Sequence, residues 1–302
     1  MALAVCFLHR LWREQCFYAC FLLSGTVCAL LIAGCKDKEI VIDEDSLPVK
    51  NANETVNPYT GYFRYGSNMG YVNGNWLDQD VADVLVGSQE KNLEGVGVNS
   101  LRPALPESFL EDWSYDIRTD AFEYYEHIGA VHNVVFIGDS PSDQHRDETV
   151  YSSGTPSESF KNLYEPVWDN GENGTPVNDN NFYALYVYKT VQEYGKNVKF
   201  WEIKNEPDFT YGVAETDGWW NRDPEPRLLE NWHAPVQHYV RLLRVSYEVI
   251  KHVDPDAFVC VGGIGYASFL DAVLRNTDNP DGGKVTPEYP CGGGAWFDCL
   301  SF

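Results

Sequence analysis

The run Phe200-Trp201-Glu202-Ile203-Lys204-Asn205-Glu206-Pro207-Asp208 places an amide and a carboxyl side by side at the end of an apolar, aromatic stretch. Proline cannot donate to a sheet ladder, so the sequence predicts a short buried strand that ends at Pro207. Glu206 then stands at a strand-to-loop junction. In a parallel α/β barrel that junction is the catalytic face, and a carboxyl there can give and take a proton. A second strand, Val98-Asn99-Ser100-Leu101-Arg102-Pro103, brings Arg102 near its own C-terminal end. An arginine at a strand end is otherwise read as a solvated surface cation.

These residues resemble the Asn-Glu-Pro motif, and the strand-two arginine, of the clan of retaining glycoside hydrolases built on a (β/α)8 barrel. The resemblance runs from about Tyr62 to the end of the chain. It implies that Glu206 is the general acid/base at the end of strand four. Asn205 would bond the 2-hydroxyl of the sugar, a contact that strengthens as the oxocarbenium-like transition state forms. Arg102 would steer the catalytic carboxylates through charge-assisted hydrogen bonds. The clan's nucleophile, a Glu at the end of strand seven, is expected beyond Phe302, as is the His-x-Tyr that commonly follows strand six. Lys204 departs from the pattern, because many relatives carry tryptophan there.

Other candidates surround this pair. Trp219-Trp220, in a polar loop after strand four, is a place for a sugar-stacking platform or for packing beneath the loop. Asn68, Tyr71, Asn73, Asn75 and Trp76 could line the sugar site or simply form turns. Asp139, Asp143 and Asp147 lack the ligand rhythm of a calcium loop and read as a solvated acidic loop. His145 reads as a surface histidine, with substrate contact as its alternative. No metal and no cofactor is expected.

The elements that must position these groups alternate between short apolar runs and helical stretches, the pattern of a parallel α/β sheet. Strands are expected at Tyr62–Asn68, Ser100–Leu105, Asn133–Gly138, Val198–Glu206 and Ala257–Gly262, with a sixth from about Trp296. Helices are expected at about Val81–Leu93, Arg118–Ile128, Asn180–Tyr194 and Val236–Val253. In the last of these, Val236, Tyr239, Val240, Leu243, Tyr247 and Ile250 recur at helical spacing. The fold class expected is a TIM (β/α)8 barrel of which about six strands are present. A closed barrel needs eight, so about two βα units, on the order of 60 residues, are missing from it.

The whole chain has 302 residues, 9 Trp and 19 Tyr, and a formal net charge of -23. That charge argues against nucleic acid and polyanionic glycans as partners and suits a neutral polysaccharide or oligosaccharide. Arg10 and Arg13 precede an apolar run, Phe17 to Gly34, that ends in Leu31-Ile32-Ala33-Gly34-Cys35. The ending resembles a bacterial lipobox with Cys35 as the lipidated residue; an uncleaved membrane anchor is the alternative. Residues 1–35 are therefore expected to be a leader, 36–57 a flexible tether and 58–302 the partial barrel, held at the bacterial cell envelope. Of the cysteines outside the leader, Cys291 and Cys299 could pair in an exported protein, and Cys260 reads as a core residue. Three functions stay open: a glycosidase, a lipid-anchored glycan-binding protein that does not cleave, and a metal-dependent hydrolase.

Overall fold

The computed structural model describes residues 59–69, 79–151 and 154–302. The leader with Cys35, the tether, and Tyr71, Asn73, Asn75 and Trp76 lie outside the described residues. Among the described residues, no helix is long and apolar enough to cross a membrane.

Five parallel strands form the frame: Gly66–Asn68, Ser100–Arg102, Asn133–Ile137, Val198–Ile203 and Phe258–Val261. The first pairs with the second, the third with the fourth, and the fourth with the fifth, all parallel. A parallel bridge, Ala104 to Phe136, links the second to the third. Each strand therefore lies beside the next in sequence, without the order reversal of a doubly wound sheet. Crossovers between parallel neighbours are as a rule right-handed, and a run of them in one direction favours helices on one face and a curled sheet. The sixth strand expected from Trp296 is reduced to one bridge, Cys260 to Cys299, beside a short 3-10 turn at Gly293–Trp296. Among the described residues the arc does not close.

The strands sort their side chains by parity. Val135, Ile137, Trp201, Ile203, Val259 and Val261 are fully buried against the helices. The alternate residues face the concave side, where register sets Phe136 beside Glu202 and Glu202 beside Cys260. One layer nearer the strand N-termini, Phe200 stacks on Phe258 at 5.2 Å, and Tyr59 meets both rings edge-on. The concave surface is thus aromatic at one end and charged at the other.

Two helices hold the fourth and fifth strands. Helix Phe182–Tyr194 starts at Asn181, whose side chain accepts the Ala184 N–H at 3.0 Å. That cap satisfies one of the orphan donors of the first turn. Helix Val236–Val253 follows Pro235, whose fixed φ suits a helix entry. Its Tyr239 hydroxyl donates to Ile203 O (2.9 Å) and accepts the Gly262 N–H (2.8 Å), tying together the C-terminal ends of strands four and five.

Several expectations need correction. The first strand begins at Gly66, with Tyr62 and Phe63 exposed. The helix expected at Val81–Leu93 runs Gln79–Val86, and a small antiparallel hairpin, Gly87–Ser88 with Leu93–Glu94, replaces its second half. Gly87 has φ 102°, which a helix cannot contain. Helices Glu107–Trp113 and Ala267–Arg275 were not anticipated.

Candidate functional site

Strand four ends at Ile203, earlier than Pro207 would require. Lys204 (φ 68°) and Glu206 (φ 46°) both take left-handed backbone, so the Asn205 peptide is carried on a tight turn rather than on a strand. Such conformations cost non-glycine residues of order 1–3 kcal/mol and persist only where neighbours enforce them. The enforcing residue is Asp139, at the end of strand three. Its carboxylate accepts the Asn205 N–H at 3.0 Å and pairs with Lys204 Nζ at 3.0 Å. The Lys204 N–H donates to Ile137 O at 2.7 Å, and Asn231 Nδ2 donates to Glu206 O at 3.2 Å.

Lys204 is 2% exposed, its ammonium 5.5 Å from the centre of the Trp232 ring. It is therefore an anchor. The sequence marked it only as a departure from a family pattern, and nothing local reveals a partner sixty-five residues away. Asp139, expected in a solvated acidic loop, is the other half of this anchor.

Arg102 lies at the same end of the arc. Its Nη2 donates to Asn205 Oδ1 at 2.9 Å and pairs with Glu202 Oε1, while Nε donates to Glu202 Oε2 at 3.2 Å. The fork thus grips Glu202 in the bidentate geometry favoured for guanidinium and carboxylate. Its face lies 4.3 Å from the Phe136 ring centre, so the alternative of a free surface cation does not describe it. Ser301 Oγ adds a third bond to Glu202, at 2.8 Å. Glu202 is 1% exposed, and sequence reasoning assigned it no role. Its parity within strand four, two residues from Phe200 on the concave face, is the signal that could have found it.

A cavity of about 460 Å³ opens over this network, lined among others by Asn68, Arg102, Phe136, Asn205, Glu230 and Asn231. Glu206 is exposed and stands to one side, its Cγ 3.8 Å from where a Gly263 side chain would begin. Glu202 Oε1 lies 3.9 Å from the same point. Asp208 is buried below, accepting the Tyr266 N–H at 2.7 Å. Burial pushes the Asp208 carboxyl above the ordinary aspartate range, and the charge of Glu206 pushes in the same direction.

The tryptophan pair divides. Trp219 is fully buried, edge-on to Tyr266 (5.6 Å) and Phe269 (6.3 Å), so it packs under the loop and is no sugar platform. Trp220 is half exposed and is not among the cavity-lining residues. His145 is neither a plain surface residue nor a lining one. It stacks on Phe182 at 4.2 Å and pairs through Nδ1 with fully buried Glu107. Glu107, Glu111 and His145 bring one ligand atom each within 4.8 Å. Glu107 also accepts the Ser142 N–H, and Glu111 accepts the Tyr115 hydroxyl, so internal bonds already use these groups.

No protein-family model matches the chain, and no curated protein matches it. Solved structures that align with it include a family 39 glycoside hydrolase from Bacteroides cellulosilyticus WH2, at 16% identity and TM-score 0.41, over 69% of this chain and 34% of that one. A β-glucanase from Saccharophagus degradans aligns at 13% identity and TM-score 0.38, over 68% of this chain and 50% of that one. An endo-1,4-β-mannanase from Eisenia fetida aligns at 14% identity and TM-score 0.34, over 61% and 49%. The chain spans between a third and a half of the length of these structures.

Proposed function

We propose that the protein belongs to a glycosidase of the (β/α)8-barrel type, hydrolysing O-glycosidic bonds by retaining double displacement with Glu206 as acid/base. The observation that supports it most is the Arg102 fork, which joins strand two to Glu202 and Asn205 at the C-terminal end of the arc. Arg102 and Asn205 come together there, while Glu206 stands exposed beside them on the turn that follows strand four. In this reading Glu206 protonates the leaving oxygen, then takes a proton from the water that releases the glycosyl-enzyme. Asn205, held by Arg102 and by Asp139, would meet the 2-hydroxyl. The second carboxyl should lie about 5 Å from Glu206. We leave that role unassigned to Glu202, whose oxygens are taken by Arg102 and Ser301.

The test, in the protein extended through the strand that carries the second carboxyl, is hydrolysis of unactivated neutral polysaccharides, read as new reducing ends, with Glu206→Gln compared to wild type. Loss of a general acid should lower the rate about 10²–10⁴-fold. Wild-type turnover in the variant would remove Glu206 from the chemistry. One observation favours a second reading, a glycan-binding protein that does not cleave: both acids flanking Glu206 in the structure, Glu202 and Asp208, already hold internal bonds. Binding of the same polysaccharides without any new reducing end, in wild type as in the variant, would favour it.

A further inference from the structure

Cys260 lies on the concave face of strand five, and Cys299 lies opposite it across a parallel bridge. Their sulfurs are 2.7 Å apart, closer than two thiols sit in ordinary contact. Neighbouring strands run about 4.7–4.9 Å apart, inside the span of about 4.4–6.8 Å between Cα atoms that a disulfide can bridge. The backbone already holds the two segments together: Val261 N–H donates to Cys299 O at 3.1 Å, and Asp298 N–H to Val259 O at 2.7 Å. A bond between the sulfurs would therefore need little movement of either chain.

We propose that Cys260 and Cys299 form a disulfide that pins the segment around Cys299 to strand five. Cys291, the partner for Cys299 suggested by sequence, is the competitor. The reaction is thiol–disulfide exchange with a small-molecule disulfide or a disulfide oxidoreductase. Cys299 is half-buried and accessible to such a donor, whereas Cys260 is 5% exposed. Cys299 thiolate attacks the donor disulfide and forms a mixed disulfide, expelling one donor thiolate. Cys260 then loses its proton to solvent and attacks Cys299 Sγ, expelling the second donor thiolate. The protein loses two protons and two electrons, and the donor becomes two thiols. The hydrogen bond with Cys299 and then burial hold the Cys260 thiol well above its ordinary range, which disfavours it as the first attacker.

The bond would also fix a neighbour. Two residues beyond Cys299, Ser301 donates to Glu202, which pairs in register with Cys260. Oxidation would hold that donor in place whether or not the molecule hydrolyses glycosides.

The experiment uses the full chain, equilibrated with oxidised or with reduced glutathione, alkylated under denaturing conditions and digested with trypsin without reduction. After oxidised glutathione, the peptide ending at Arg275 that carries Cys260 should appear joined to the peptide following Lys284 that carries Cys299. Reduced glutathione should release both. The Lys284 peptide also contains Cys291, so Cys291→Ser must keep the same linkage. Full alkylation of Cys260 after oxidation, a Cys291–Cys299 link, or loss of the joined peptide in Cys291→Ser would each overturn the assignment.

Discussion

Asp139 meets two demands with one carboxylate: it neutralises the buried Lys204 ammonium and fixes the Asn205 peptide. A buried ion pair gains little over a hydrophobic pair of the same shape, but breaking one side of it is costly. Asp139→Ala should therefore destabilise the protein by about 3–5 kcal/mol in urea unfolding. Adding Lys204→Met should recover most of that loss, because it removes the stranded charge; no recovery would mean that Asp139 acts mainly through the Asn205 N–H. At this scale the sequence singled out residues better than it singled out their partners. Arg102, Asn205 and Glu206 stood out by residue type at strand ends. The partners of Lys204 and Glu202 depend on which strands become neighbours, which residue identity alone does not encode. Trp219 stayed open between a platform and packing for the same reason: nothing beside it in the sequence names Tyr266 and Phe269, the rings it packs against.

Among the elements, the meeting of strands four and five is set by a glycine. A Cβ on Gly262 would fall 2.3 Å from Lys204 O and 2.7 Å from Ile203 O, both backbone atoms that cannot swing away. Gly262→Ala should cost about 1–3 kcal/mol, the range for overpacking, and should disturb the Lys204–Glu206 turn. One residue on, a Cβ at Gly263 would meet only ordinary contacts at 3.8 and 3.9 Å, so Gly263→Ala should change stability by less than about 0.5 kcal/mol. Thermal unfolding of the two variants side by side checks the contrast; equal losses would show that the close approach at Gly262 is not what holds the turn. Helix Val236–Val253 was legible at both ends because eighteen residues at a 3.6 period leave little room for another reading. Helix Ala267–Arg275 was not, since nine residues hold too few turns for the period to show. The end of strand four was misplaced because Pro207 is an obvious stop, whereas the turn at Lys204 is imposed from strand three.

For the molecule as a whole, 45 acidic against 22 basic side chains give a net charge of -23. Self-repulsion at that charge opposes compactness, and salt screens it. Raising sodium chloride from about 0.05 to about 0.5 M near pH 8 should raise Tm by roughly 2–5 °C. A fall in Tm instead would show that screened ion pairs outweigh the relieved repulsion. The alternation of strand and helix was plain from the sequence, and the sequential parallel order agrees with it. The long excursion between strand three and helix Phe182–Tyr194 was legible only as a Gly- and Pro-rich insertion. It leaves the frame just after Asp139 has closed its grip on the neighbouring turn, and it returns at the Asn181 cap. On the way it supplies Glu158 to the cavity wall. The excursion also sinks Phe160, Leu163, Val167 and Trp168 into the core and accepts Arg241 on its Leu163 and Glu165 carbonyls, so a rim that decides which molecules the hollow admits is rooted in the same packing that keeps the barrel wall upright.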